Sequence, residues 1–230
     1  MDGTAELTSA RAPRVAFAVA TPADDPEIRR LLRENPTPGQ IALAFEREPD
    51  YFADADFPET AKHTIVAREN GRAVCVGNCT VRPRFVNGTA SRVGYLGGLR
   101  LDARAAGRFD ILRRGYEFFR ELQAAQPADY YFTSIAADNL LARRFLERGL
   151  PGMPRYEFVS EFVTLLVPVK PQPQDQTVRQ IEAVDFAEVL ELLTTQSRAY
   201  QFAECWTAGQ LAAAQQRAAG LAERVEHFRG

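Results

Sequence analysis

Two Asn-Gly dipeptides, Asn70-Gly71 and Asn87-Gly88, constrain this chain more than any other feature, because each sits between runs that read as strands. An Asn-Gly pair accepts positive φ at both central positions of a type I′ turn, whose twist matches that of two antiparallel strands. The spacing therefore predicts a three-stranded meander: His63 to Arg68, Ala73 to Arg82, and Arg92 to Leu101. Asn87-Gly88-Thr89 also fits a glycosylation sequon, but with no secretory signal the hairpin turn is the simpler reading.

The pattern changes on either side of the meander. Upstream, Arg14 to Ala20 reads as a strand, and Thr21-Pro22-Ala23-Asp24-Asp25 opens a helix with Ile28, Leu31 and Leu32 at helical spacing. Pro36-Thr37-Pro38-Gly39 stops it, a less regular helical stretch runs from Gln40 to about Glu48, and Tyr51 to Pro58 reads as an aromatic and acidic loop. Downstream, helix and strand alternate: helix Arg108 to Gln123, strand Tyr130 to Ile135, helix Asn139 to Arg148, and a long strand from Tyr156 to Val169. Alternation brings successive strands parallel. The fold class that follows is α/β in the broad sense (α+β), a mixed, mostly antiparallel sheet flanked by helices.

The chain of 230 residues can bury one sizeable core, or one domain and part of another. Hydrophobic residues at 46% and charged residues at 25% are those of a folded domain and exclude a mostly disordered chain. A net charge of -2 gives no electrostatic footprint for nucleic acid. No run approaches the roughly 20 apolar residues of a membrane span, and Met1 to Pro13 lacks a signal-peptide core, so the expected compartment is cytoplasmic. Cys75, Cys79 and Cys205 fit neither a zinc nor a redox spacing and read as reduced core thiols; no metal is expected.

Pro168 to Gln174 is a proline-rich linker, after which the opening pattern starts again. Val178 to Val184 resembles the first strand, and Asp185 with Val189, Leu190, Leu192 and Leu193 repeats the first helix. Tyr200, Phe202 and Trp206 follow, then an alanine-rich helix from about Ala208 to Phe228. The expected organisation is a main domain over 14–169, a linker over 170–177, and a partial second domain or helical extension over 178–230.

The junction with most chemical content runs from Tyr95 to Phe119. The strand Tyr95 to Leu101 enters a loop, Asp102 to Gly107, that opens a helix at Arg108. Unpartnered N–H groups in a first helical turn and the positive end of the helix dipole attract phosphate oxygens, each contact contributing about 0.3–1 kcal/mol when exposed. Ala105, Ala106 and Gly107 keep side chains out of the way, while Arg104 and Arg108 add charge. An ordinary strand-to-helix connection is the bland reading of the same residues.

From Arg14 to Val169 the order of elements resembles the GCN5-related N-acetyltransferase family. Arg104-Ala105-Ala106-Gly107-Arg108-Phe109 partly matches that family's R/Q-x-x-G-x-G/A loop, with Phe109 in place of the small last residue. An alignment counted from the strand instead puts Ala106 at the Arg/Gln position. Asn139, Ala142, Phe145 and Gly149 keep the spacing of a second family signature, although Leu146 stands where members often carry a proton-donating Tyr. The resemblance implies the acyl-CoA N-acyltransferase fold, with acetyl-CoA as co-substrate and the thioester along Leu99, Arg100 and Leu101. Its diphosphate would lie at Arg104, Ala106, Gly107, Arg108 and Phe109, and Asn139 would lie near the pantetheine arm. Gly97-Gly98 fits the strand bulge with which the family frees N–H groups for the acyl carbonyl.

An amine acetylation needs groups that take a proton from an ammonium and steady a tetrahedral oxyanion. Tyr95, beside the bulge, and Ser134, near the end of the following strand, are the candidates for proton chemistry; a core aromatic and a backbone-bonded hydroxyl are the alternatives. Asp54, Asp56 and Glu59 would draw a cationic amine or simply form a solvated loop. The expected partner is a small-molecule or peptide amine, with no nucleic acid and no membrane; a homo-oligomer is compatible with the chain. A catalytically silent acyl-CoA sensor and a protein-interaction module remain the competing functions.

Overall fold

The computed structural model describes residues 15–37, 44, 46–53, 60–164 and 185–216. Five strands form one sheet in the order of the sequence: β1 (Ala16–Val19), β2 (Ala61–Glu69), β3 (Arg72–Val86), β4 (Thr89–Leu101) and β5 (Tyr130–Phe132). The first four are antiparallel and β5 runs parallel to β4. Both hairpin turns fall on the Asn-Gly pairs. Asn70 and Gly71 have φ of 53° and 81°, and Asn87 and Gly88 have φ of 51° and 75°, the doubly left-handed geometry that Asn-Gly tolerates. The strands they join run beyond the expected limits, with β3 reaching Val86 and β4 beginning at Thr89.

Helix α1 (Asp25–Glu34) continues from a single 3-10 turn, Pro22–Asp24, at whose start the Thr21 N–H donates to the Asp24 carboxylate at 2.8 Å. Its Ile28, Leu31 and Leu32 pack with Tyr51, Val66, Ala73 and Val76 on one face of the sheet. Helix α2 (Phe109–Gln123) covers the other face, where Ile111 packs with Val15, Ala67, Cys75 and Ala105. Neighbours in one strand, Val66 and Ala67 or Cys75 and Val76, thus divide between the two cores as the two-residue strand period requires. Burial pushes the thiols of Cys75 and Cys79 up to about 12, so both stay protonated at neutral pH. Cys205 is only partly buried, which corrects its reading as a core thiol.

Several expectations are corrected. Residues 44 and 46–48 are not helical; the remainder of Gln40 to Glu48 lies outside the described residues. Strand β5 stops at Phe132 rather than Ile135, because the Thr133 hydroxyl donates to the Leu96 carbonyl at 2.8 Å in place of a backbone ladder bond and the chain then leaves β4. Helix α3 (Leu140–Leu146) is shorter than expected, with Asn139 outside it as the cap. Residues 156–164 pair with no strand among the described residues, leaving Phe158, Val159, Phe162 and Val163 exposed. Tyr156 is drawn instead to α2, where its hydroxyl meets that of Tyr116 at 2.7 Å. Burial first, then the neighbouring hydroxyl, holds the Tyr156 phenol above its ordinary range.

Helix α4 (Phe186–Ser197) follows Asp185 as its pattern implies, and residues 208–216 are helical. The expected strand Val178 to Val184, the linker, the acidic side chains Asp54, Asp56 and Glu59, and the end of the last helix lie outside the described residues.

Candidate functional site

The site begins where β4 and β5 part. They pair only through Val93–Tyr130, Gly94–Tyr131 and Tyr95–Phe132, so from Gly97 to Leu101 no described strand bonds to that side of β4. On its other side β4 is irregular: Asn78 faces Gly97 and Val76 faces Arg100, so Gly98 and Leu99 together oppose Gly77. A bulge is thus present in β4, one residue beyond the expected Gly97-Gly98, with Gly97 still paired to Asn78. Gly98 takes φ of 61°, a conformation that favours glycine, and an added Cβ there would displace the Asn78 side-chain amide.

Tyr95 and Ser134, 39 residues apart, meet at this fork with their hydroxyls 2.7 Å apart. Tyr95 packs at 5.1 Å on Phe132. It lies opposite Thr80, on the strand face that carries Val76 and Asn78 and therefore on the α1 side of the sheet. Asn78 also reaches the Tyr51 hydroxyl at 3.5 Å, and that hydroxyl meets Thr64 at 3.2 Å, giving a line of polar groups beneath the fork. His63 sits inside β2 opposite Cys79.

Leu99 is exposed, whereas Leu101 pairs with Cys75 and packs against the α2 core, so the two differ in what they offer a ligand. Arg100 is partly buried, and burial holds its guanidinium below the ordinary value; its Nη1 donates to the Leu99 carbonyl at 2.8 Å.

The loop from Asp102 is more self-contained than its sequence suggests. Asp102 is buried and accepts from the Arg104 N–H at 3.0 Å while its carboxylate faces Arg30 at 3.3 Å and Arg72 at 3.6 Å. The Ala103 N–H donates to Asn35, and those of Ala105, Ala106, Arg108 and Phe109 donate to carbonyls within the loop. At the start of α2, Arg108 grips Asp110 through two bonds of 2.8 and 2.9 Å and reaches Glu69 at 3.2 Å. The Arg108 bond, opposed by burial and aided by the N–H groups of Asp110 and Ile111, holds the Asp110 carboxyl below its ordinary value. The helix entrance thus carries its own anion. This corrects the expectation of free amides there: Ala106 and Phe109 offer bonded N–H groups, Arg108 is neutralised, and the open features are Gly107 and the exposed Arg104 side chain.

Phe109 neither enters the core nor stands alone. It is 52% exposed and stacks at 4.9 Å on Phe145 of α3, forming with Arg113, Leu150 and Met153 an open depression of about 320 Å³. Asn139 caps α3 through the Ala142 N–H at 3.2 Å, and Leu146 is buried in the position that lacks a proton donor. Sequence reasoning missed Asp110, Asn78 and Phe202. Asp110 alone carried a signal, an acid in the first helical turn; the other two come together only through the tertiary fold.

Four antiparallel strands, a fifth parallel to the fourth, helices on both faces, a bulged β4 and a fork beside it complete the arrangement. Through β5 and α3 this is the order of elements of the GCN5-related N-acetyltransferase fold; no strand follows α3 among the described residues. No family model matches the sequence, and no curated relative matches it. Among solved structures the chain is similar to an aminoglycoside acetyltransferase from an uncultured soil metagenomic sample, at 14% identity over 66% of this chain and 96% of that one, with a TM-score of 0.45. It is similar to an aminoglycoside N-acetyltransferase in complex with CoA at 14% identity over 66% and 97%, TM-score 0.47. It is also similar to the ribosomal-protein-alanine N-acetyltransferase of Brucella melitensis at 14% identity over 66% and 99%, TM-score 0.44. Likenesses this distant name no substrate; strand order and the bulge define the fold. Among the described residues no helix is long and apolar enough to cross a membrane.

Proposed function

We propose that the unit over 14–169 is an acyl-CoA-dependent N-acyltransferase that moves an acetyl group from acetyl-CoA to a primary amine of a small molecule or peptide. The observation that carries this reading is the fork: past Tyr95 β4 runs on along an edge to which β5 does not pair, a bulge at Gly98-Leu99 follows, and two hydroxyls are in contact at its head. Such an edge offers N–H and C=O groups to an extended amide-bearing ligand, as an added strand would use them. The pantetheine arm of acetyl-CoA has that character.

The reaction is direct attack. The amine nitrogen forms a bond to the thioester carbonyl carbon, the C–S bond breaks, the sulfur leaves as thiolate, and the ammonium proton that must be shed reaches solvent or the thiolate. Backbone N–H groups at the bulge are suited to steady the developing oxyanion. The paired Tyr95 and Ser134 hydroxyls are suited to pass a proton at the head of the fork, because either oxygen can donate to the other. Positioning within one ternary complex supplies several kcal/mol of the barrier, of the order of 7–11 for ideal alignment.

Titration with acetyl-CoA, followed by thiol release with a panel of amines, tests the proposal. Saturable binding and amine-dependent thiol release are expected; no binding would refute it. A specific observation favours one second reading, a silent acyl-CoA-binding relative: Leu146 is buried and apolar where a proton donor would stand. Binding without thiol release would select it.

A further inference from the structure

Residues 201–204, well beyond the sheet in sequence, are built into it. Glu204 makes an antiparallel bridge with Arg84, the Phe85 N–H donates to the Ala203 carbonyl at 2.9 Å, and the Phe202 N–H donates to the Phe85 carbonyl at 2.8 Å. The Arg84 guanidinium donates to the Phe202 carbonyl at 2.6 Å and pairs with Glu204 at 2.8 Å, with Arg82 at 3.5 Å from the same carboxylate. Gln201 and Asn87 exchange two further bonds at 3.0 and 3.1 Å.

Within this clip Phe202 has φ of 60°, a conformation that a bulky residue rarely adopts and that persists only where surrounding contacts impose it. The result of that backbone is the placement of the ring. Phe202 stacks on Phe132 at 4.8 Å and 14°, and Phe132 in turn packs on Tyr95 at 5.1 Å. Three rings therefore connect the C-terminal clip to the hydroxyl that meets Ser134. With the ring of Tyr95 backed by Phe132, and Phe132 backed by Phe202, the phenol has one supported direction.

We propose that Phe202 is a positioning residue: clipped to the β3–β4 hairpin, it holds Tyr95 against Ser134 through Phe132. The inference rests on the acyltransferase reading for its kinetic consequence, but not for its structural one. Two measurements keep these apart. In the first, 3-fluorotyrosine is placed at Tyr95 and its fluorine resonance recorded. The resonance shifts or broadens in Phe202→Ala, returns in Phe202→Tyr, and stays put in Tyr200→Ala, a control that changes a residue 67% exposed. Glu204→Gln, which loosens the clip and leaves the ring intact, gives a smaller change of the same kind and serves should Phe202→Ala fail to fold.

In the second measurement, thiol release is followed with whichever of tyramine, spermidine, glucosamine or an alanine-terminated peptide the wild type uses fastest. Phe202→Ala lowers kcat on the order of 10- to 100-fold, as expected for a displaced reacting group, with acetyl-CoA affinity unchanged. In a Tyr95→Phe background it lowers kcat little further, because both changes remove one effect. An unmoved fluorine resonance, or additive kinetic losses, overturns the proposal. A wild type with no thiol release refutes the acyltransferase reading and leaves the fluorine result to decide this one.

Discussion

Tyr95 is the residue on which most of the chemistry turns, and its surroundings give its removal a definite signature. Tyr95→Phe keeps the ring on Phe132 and deletes only the hydroxyl that meets Ser134, so the fold should be unaffected while kcat falls by about 10²-fold or more. Equal losses in kcat and kcat/KM, at constant Tm, are the expected reading; unchanged kcat would remove the pair from the mechanism. Gly98→Ala acts differently, since the new methyl must occupy left-handed backbone and displace Asn78. A cost of about 1–2 kcal/mol for the conformation alone, plus the lost bulge, should appear together as a lower Tm and weaker acetyl-CoA binding. The glycine pair was legible in the sequence because glycine inside a strand marks a bulge. That Tyr95 touches Ser134 was not, because nothing local relates a position inside β4 to one 39 residues later, just past the end of β5.

At the scale of elements, the entrance to α2 holds two opposing demands. An acid in the first turn stabilises the helix, and Asp110 does so while bound to Arg108, yet the same carboxylate repels a diphosphate. Asp110→Asn should therefore cost about 0.3–1 kcal/mol in stability and tighten acetyl-CoA binding about two- to fivefold, read by denaturant melts and calorimetry on the same sample. Gly107→Glu, at an open position with φ of 81°, adds charge and strain and should abolish binding. Affinity unchanged in both variants would place the diphosphate elsewhere. The meander, α1 and α2 were readable because turn chemistry and helical periodicity are local signals. Residues 156–164 carry an equally good strand pattern and are not a strand, since a strand also needs an edge to pair with, and β5 ends after three residues. The loop is hard to read for a related reason: small residues suggest free amides, but Asn35 and the loop's own carbonyls, which no spacing rule reveals, accept from most of them.

Across the whole molecule, one buried carboxylate joins three parts of the fold. Asp102 links the loop before α2, through the Arg104 N–H, to Arg30 on α1 and Arg72 at the start of β3, and Arg30 also donates to the Ala73 carbonyl at 2.8 Å. Burial alone would raise the Asp102 pKa; the Arg104 N–H and the two guanidinium groups outweigh it and hold the carboxyl below its usual 3.8. Asp25 is lowered as well, chiefly by the Tyr51 N–H, which ties α1 to the segment before β2. The folded state therefore binds protons less readily than the unfolded chain. The stabilisation from both groups is complete above the unfolded-state value near 3.8 and is lost as pH falls through the lower folded values. Asp102→Asn should lower stability at pH 7 by about 1.5–3 kcal/mol, the worth of hydrogen bonds to a charged group, and flatten the fall in stability as pH drops below the unfolded-state value of 3.8. Denaturant melts of the wild type and the variant across that range check it. Curves that stay parallel at every pH would show that Asp102 contributes packing and no linked charge.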